Sequence, residues 1–174
     1  MQIDYDINTT NYVVIGNGDS LNSFDWERFD DANRVIACNG AWEKIPVQVD
    51  MVVASDEHWV VYNRQHCRIP LYTTDVWSTK HTVHSVPGAP NGITTGALGI
   101  FLAAAFSPPR IYCLGFDILT LDSTERYHDH AIKMSKIRNP GRFSKDFYTA
   151  IEYALPSQTQ LLITPEQWRT AVYK

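Results

Sequence analysis

Five short polar segments carry residues of this chain that can do chemistry; four follow an apolar run, and the other leads into an Ala-rich helix. The first is Gly16-Asn17-Gly18-Asp19-Ser20, after Val13-Val14-Ile15. Its glycines permit positive φ and close backbone approach, and Ser20 can cap a following helix whose amides favour an anion. That is phosphate-cradle chemistry, and it is equally the composition of a ligand-free strand-to-helix turn. The segment lacks the Gly-Lys-Ser/Thr of the Walker loop and the third glycine of the dinucleotide fingerprint. In the second, Cys38-Asn39-Gly40, the Asn39 amide offers donors and an acceptor for a ribose or a base edge, or for an Asx turn. The third, Ser55-Asp56-Glu57-His58, can hold a metal or a substrate hydroxyl, or form a solvated loop. The fourth, Asn91-Gly92-Ile93-Thr94-Thr95-Gly96, places Thr94, Thr95 and Gly96 where hydroxyls cap a helix and where an anion or a sugar fits. The fifth, Leu114-Gly115-Phe116-Asp117, ends in one carboxylate.

Those segments need a scaffold. Short β-branched runs at Tyr12–Ile15, Arg34–Cys38, Val49–Ala54, Ile69–Thr73, Arg110–Leu114 and Gln160–Thr164 read as strands. Most are apolar on successive residues, the pattern of parallel strands covered on both faces. Thr95 to Phe106 predicts a helix, closed by Ser107-Pro108-Pro109. Ser144 to Leu155 predicts another, with Phe147, Ile151 and Ala154 at helical spacing, Ser144 as N-cap and Pro156 as stop. This alternation predicts an α/β chain, a single Rossmann-like domain over residues 1–174. Its mostly parallel sheet should have about six or seven strands, with helices on both faces. Ligands of such sheets sit at the carboxyl ends of the strands near the switch in strand order, so the polar segments should meet in one crevice.

Composition narrows the function. Lys and Arg number 15 against 19 Asp and Glu, a net charge of −4, which lacks the basic footprint of a nucleic-acid binder. Hydrophobic residues at 44% and charged residues at 20% are those of a globular domain. The longest apolar stretch, Ala97 to Phe106, is too short for a membrane span. Met1 to Tyr12 has no basic-then-apolar pattern, and Cys38, Cys67 and Cys113 suit neither a disulfide framework nor a paired-cysteine zinc site; a reduced cytoplasm is the expectation. His81 and His84 lack a third metal partner close by and read as a surface loop, so no metal site is expected. His128 and His130, followed by Lys133, Lys136, Arg138 and Arg142, form a basic cluster that can grip phosphates or face water. Trp26, Trp42, Trp59, Trp77 and Trp168 should mostly pack on the sheet, with one able to stack on a base or sugar ring. No Gly-x-Ser-x-Gly elbow marks a hydrolase. A homo-oligomer is compatible with the sequence, which sets no oligomeric state.

Taken in order, Val14-Ile15-Gly16-Asn17-Gly18-Asp19-Ser20-Leu21, Cys38-Asn39, Ile93-Thr94-Thr95-Gly96 and Ile111-Tyr112-Cys113-Leu114-Gly115-Phe116-Asp117 resemble the bacterial sialyltransferases of glycosyltransferase family 42. More loosely, the chain is similar to a Rossmann-like family that includes the archaeal 6-hydroxymethylpterin diphosphokinases, in which an aspartate follows the third strand as Asp56 does here. The first resemblance implies a cytidine nucleotide sugar as donor substrate and no required metal. It puts Asn17, Gly18 and Asn39 near phosphate and ribose, and Thr94, Thr95 and Gly96 near the nucleotide; Gly16, Ser20, Ser55 and Asp117 complete the expected binding set. It implies His128 or His130 as general base, which a histidine near neutral pKa can be. Tyr127 would donate a hydrogen bond to the departing phosphate. The chain departs from that family at Gly92, where the family has arginine, at Leu119, where it has tyrosine, and at Asp19, where it has proline. Much of the insertion over the donor sugar is also missing, which suits a bacterial or phage protein that keeps nucleotide binding. The second resemblance implies diphosphate transfer with Mg²⁺ held by Asp56 and Asp117. A third reading is a non-catalytic nucleotide-binding protein. In each, the partner is a small-molecule nucleotide or nucleotide sugar.

Overall fold

The computed structural model of the chain describes residues 10–117, 140–163 and 172. Seven parallel strands form one sheet: β1 (Tyr12–Ile15), β2 (Arg34–Cys38), β3 (Met51–Val53), β4 (Leu71–Thr73), β5 (His84–Ser85), β6 (Arg110–Leu114) and β7 (Gln160–Leu162). They lie in the order β5-β4-β3-β2-β1-β6-β7. Among the described residues four α-helices join them: α1 (Glu57–Asn63), α2 (Asp75–His81), α3 (Thr95–Ala104) and α4 (Pro140–Ala154), with 3-10 turns at Asp19–Ser23, Trp26–Arg28 and Asn39–Glu43. The architecture is the expected α/β, Rossmann-like one.

Both faces of the central sheet are covered, which is why β1, β2 and β6 are apolar at every position past the leading Arg34 and Arg110. Val14, Ile36, Val53 and Cys113 point to the face covered by α3 and α4. Their neighbours Val13, Ile15, Val35, Ala37 and Leu114 point the other way, onto Leu21, Phe24 and Phe29 of the 3-10 segments, Val60 of α1, and Val172. The register is β1-centred, with Val14 opposite Ile36 on one side and Cys113 on the other.

Helix α3 is the structural hinge between sheet and site. It carries no charge, and all its residues except Gly96 are buried, as expected of a helix sandwiched between a sheet and a second helix. Gly99 lets it sit low on the sheet: a Cβ there would lie 2.6 Å from Val14 Cγ1 and 3.5 Å from both Cys38 Sγ and Val53 Cγ2. The helix ends at Ala104, two residues short of the expected Phe106, and Ser107 follows at a φ of 49° ahead of Pro108.

Several expectations change. Strand β3 is Met51–Val53, and β4 begins at Leu71, each shorter than its β-branched run. Helix α4 starts at Pro140, so Ser144 is not its N-cap; proline suits a first turn, where no amide is needed. The segment after Val53 is not an open loop, because Asp56 is the N-cap of α1 and Glu57 opens it. His81 and His84 do not form a surface loop either. His81 closes α2 with Nε2 3.0 Å from Glu57 Oε1, and His84 stands in edge strand β5. Among the described residues, no helix is long and apolar enough to cross a membrane.

Candidate functional site

Strand order reverses at β1, whose neighbours are β2 on one side and β6 on the other. The loops leaving β1 and β6 are laced together there: the Gly16 amide donates to the Leu114 carbonyl at 2.8 Å, and the Gly18 amide to that of Gly115 at 3.0 Å. A Cβ on Gly18 would sit 2.5 Å from the Asp117 carboxyl carbon, so only glycine admits that carboxylate. Asp117 then accepts the Ser20 amide at 2.9 Å, and the Ser20 hydroxyl as well. Ser20 therefore does not cap the turn that starts at Asp19; Gly18 holds that place. The expected phosphate cradle already holds an anion, and the anion is the chain's own Asp117.

One strand over, the polar tips converge as expected. Asn17 Nδ2 donates to the Cys38 carbonyl at 3.0 Å. The Cys38 thiol, beneath, reaches the Thr95 carbonyl at 3.8 Å. The Thr95 hydroxyl accepts the Ser55 amide at 3.2 Å and lies 2.8 Å from the Ser55 hydroxyl. A single run of hydrogen bonds thus joins the ends of β1, β2 and β3 to the N-terminus of α3. Asn17, Asn39 and Thr95 are all buried, at 9%, 5% and 8% exposure. Burial pushes the Cys38 thiol up to about 12, so it stays protonated and acts as a donor.

Two features mark this run as receptive. The side-chain oxygens of Asn17 and Asn39 are buried without a hydrogen-bond partner among the described residues. An unsatisfied buried acceptor costs about 1–3 kcal/mol, and a ligand that brings donors recovers it. Asn39 is held with a φ of 50°, a conformation asparagine tolerates better than most residues. The second feature is the first turn of α3, whose amides have no partner within the helix. Thr94 is its N-cap, and its own amide is taken by Asp146 of α4 at 2.8 Å. Gly96 lies against the ring of Phe116, which a Cβ would approach to 2.8 Å.

The remaining half of the carboxyl edge adds Thr74, which the five polar segments do not include. Thr74 and Trp77 join Ser55, Asp56 and Asn91 around a cleft of about 230 Å³. The signal was present in Thr73-Thr74-Asp75, a sixth polar tip after an apolar run. Glu57, on the same wall, is held below the usual carboxylate range by hydrogen bonds from Lys80 at 2.5 Å and from His81. Of the tryptophans, Trp26, Trp42 and Trp59 pack on the sheet as expected, and Trp77 borders the cleft.

Tyr127, His128 and His130, the basic cluster after them, and Trp168 lie outside the described residues. Among the described residues, no group of three or more His, Cys, Asp or Glu side chains is placed to share a metal ion. No protein-family model matches the chain, and neither a curated protein nor a solved structure shows significant similarity to it.

Proposed function

We propose that this chain binds a cytidine nucleotide sugar across the carboxyl ends of β1, β2 and β3 and transfers the sugar to an acceptor hydroxyl. The observation that carries the reading is the run Asn17, Cys38, Thr95, Ser55, with two buried asparagine oxygens, of Asn17 and Asn39, that have no partner among the described residues. Those oxygens are acceptors. They call for ligand donors such as ribose hydroxyls or the exocyclic amine of cytosine. The first-turn amides of α3 are the complementary donors for a phosphate. The order of motifs along the chain, similar to that of the family 42 sialyltransferases, supports the transfer step.

In that reaction, His128 or His130 takes the proton of the acceptor hydroxyl as its oxygen bonds to the anomeric carbon. The bond from that carbon to the phosphate oxygen breaks with inversion, and its electron pair leaves on the nucleotide, which Tyr127 steadies through its hydroxyl. Magnesium-dependent diphosphate transfer would ask Asp117 to share a cation with Asp56. Asp117 already accepts two hydrogen bonds from Ser20, which favours the first reading.

Cytidine monophosphate tests the proposal. At a hundredfold excess over Kd it should stabilise the chain by about 2.7 kcal/mol. That corresponds to roughly 5–10 °C in Tm for a chain of this size. Backbone resonances of Asn17 and Thr95 should shift with it, and a flat titration at millimolar ligand would overturn the reading. Replacing His128 and His130 together with Ala should abolish turnover while leaving affinity for the nucleotide nearly intact. Turnover that collapses with a chelator would favour diphosphate transfer instead.

A further inference from the structure

The cleft between the ends of β3 and β4 and the loop before α3 has a chemistry of its own. At about 230 Å³ it is smaller than the roughly 300–1,000 Å³ of drug-sized sites, a volume for one ring. Asp56 is exposed on its wall, and among the described residues no Lys or Arg lines it. Glu57 is already engaged by Lys80 and His81, which leaves Asp56 as the available carboxylate. Thr74, only 1% exposed, borders the cleft, and its buried hydroxyl has no partner among the described residues. Trp77 and Ile93 supply apolar surface, and Lys80 Nζ, 5.4 Å from the Trp77 ring centroid, steadies the indole.

We infer that this cleft receives the uncharged, polyhydroxylated ring of a sugar, stacked on Trp77 with its hydroxyls donating to Asp56, and that it rejects sugars bearing a carboxylate. A flat aromatic face matches the axial C–H surface of a pyranose, and an ionised carboxylate accepts hydroxyl hydrogen bonds more strongly than a neutral group does. An acidic sugar would bring its carboxylate against Asp56, and Lys80, beside the cleft, is already paired with Glu57. Ser55 belongs both to this cleft and to the hydrogen-bonded run beneath the nucleotide crevice, so the two are contiguous. Taking the ring to be the donor sugar rests on the function proposed above; the preference for an uncharged ring does not.

The test follows the Trp77 indole and Ile93 methyl resonances while methyl glycosides of glucose, galactose and mannose, N-acetylneuraminate and glucosamine are titrated separately into the full chain. Cytidine monophosphate is titrated in parallel and read at Asn17 and Thr95. At least one neutral glycoside should shift both cleft reporters at millimolar concentration, with N-acetylneuraminate at least about tenfold weaker. Trp77→Ala, read at Ile93, should weaken the neutral glycoside about tenfold, whereas Trp77→Phe should retain most of the affinity. Asp56→Asn should weaken the neutral glycoside and narrow its advantage over N-acetylneuraminate. Equal binding of the acidic sugar, or no response to any neutral glycoside, would overturn the inference; glucosamine, whose ammonium Asp56 attracts, should bind no more weakly than the neutral glucoside. Nucleotide binding without a sugar response would sink the cleft assignment alone. A sugar response with a flat nucleotide titration would sink the function proposed above and leave the cleft.

Discussion

The carboxylate of Asp117, just past the end of β6, accepts both the amide and the hydroxyl of Ser20, in the 3-10 turn that follows β1. The two residues stand 97 positions apart in the chain. Their pairing closes the strand-order switch point with an internal anion. It also moves the receptive surface one strand over, to Asn17, Cys38, Thr95 and Ser55. Gly18 makes the pairing feasible, since its missing Cβ is the space the carboxylate occupies.

Asp117→Ala should therefore destabilise the chain by about 1 kcal/mol, since Ser20 is exposed and its donors can turn to water. Gly18→Ala should cost a similar amount by displacing the same carboxylate, because its φ of −66° is one that alanine accepts. The double variant should then cost little more than the worse single one. Urea denaturation of the four proteins closes the cycle, and simple additivity would separate the two effects and refute the shared cause.

Gly99→Ala tests how closely α3 is seated. Alanine gains up to about 1 kcal/mol of helix propensity over glycine. Against that, its Cβ would meet Val14 Cγ1 at 2.6 Å in a fully buried layer, and overpacking costs about 1–3 kcal/mol. A net loss is expected, lowering Tm by a few degrees. Val14→Ala, harmful alone, should be less harmful in the Gly99→Ala background. A stabilised Gly99→Ala protein would show that the helix can lift without penalty.

Much of this architecture was legible in the residues. Tyr12–Ile15, Arg34–Cys38 and Arg110–Leu114 coincide with β1, β2 and β6, because a strand buried on both faces is apolar along its buried length and bounded sharply by polar residues. Strand β5 escaped: it is two residues on a sheet edge, and His84 is exposed, so no burial pattern could form. Helices α1 and α2 escaped for a related reason. Each is seven residues with a single buried position, Val60 or Ser78, too short for a helical period to repeat. The convergence of Asn17, Asn39 and Thr95 followed from fold class alone. The capture of Ser20 by Asp117 did not, because a loop's amides look the same in sequence whether a ligand or a distant side chain satisfies them.

The three thiols give a pH signature. Burial raises Cys38 from its ordinary 9.0 to about 12, and raises Cys113 as well, both on the α3 face of the sheet. A raised thiol pKa favours the folded state while the unfolded thiol is still protonated. That contribution is full below pH 9 and is lost as pH climbs through 9 toward about 12. Unfolding free energy should therefore fall over this window, and Cys38→Ala should flatten the slope. Under native conditions near neutral pH, a thiol reagent should label half-buried Cys67 and spare Cys38 and Cys113 until the chain is unfolded. Rapid labelling of all three in the native protein would contradict the burial.

Thr95 is where the packing of α3 and the proposed ligand site become one question. Its hydroxyl receives the Ser55 amide at 3.2 Å, and the Ser55 hydroxyl lies 2.8 Å away, so Thr95→Val leaves both groups without their partner while preserving side-chain shape. Ser55 is only half-buried and can turn to water, which keeps the expected loss near 1 kcal/mol. Thr95→Ser restores the oxygen and should recover most of that loss. If the nucleotide lies over this run, Thr95→Val should also weaken cytidine monophosphate by about tenfold, and Thr95→Ser should rescue affinity together with stability. If stability falls while affinity stays constant, Thr95 only fastens α3 to β3 and the nucleotide sits elsewhere. Thermal melts with and without the nucleotide, run on both variants, separate these outcomes.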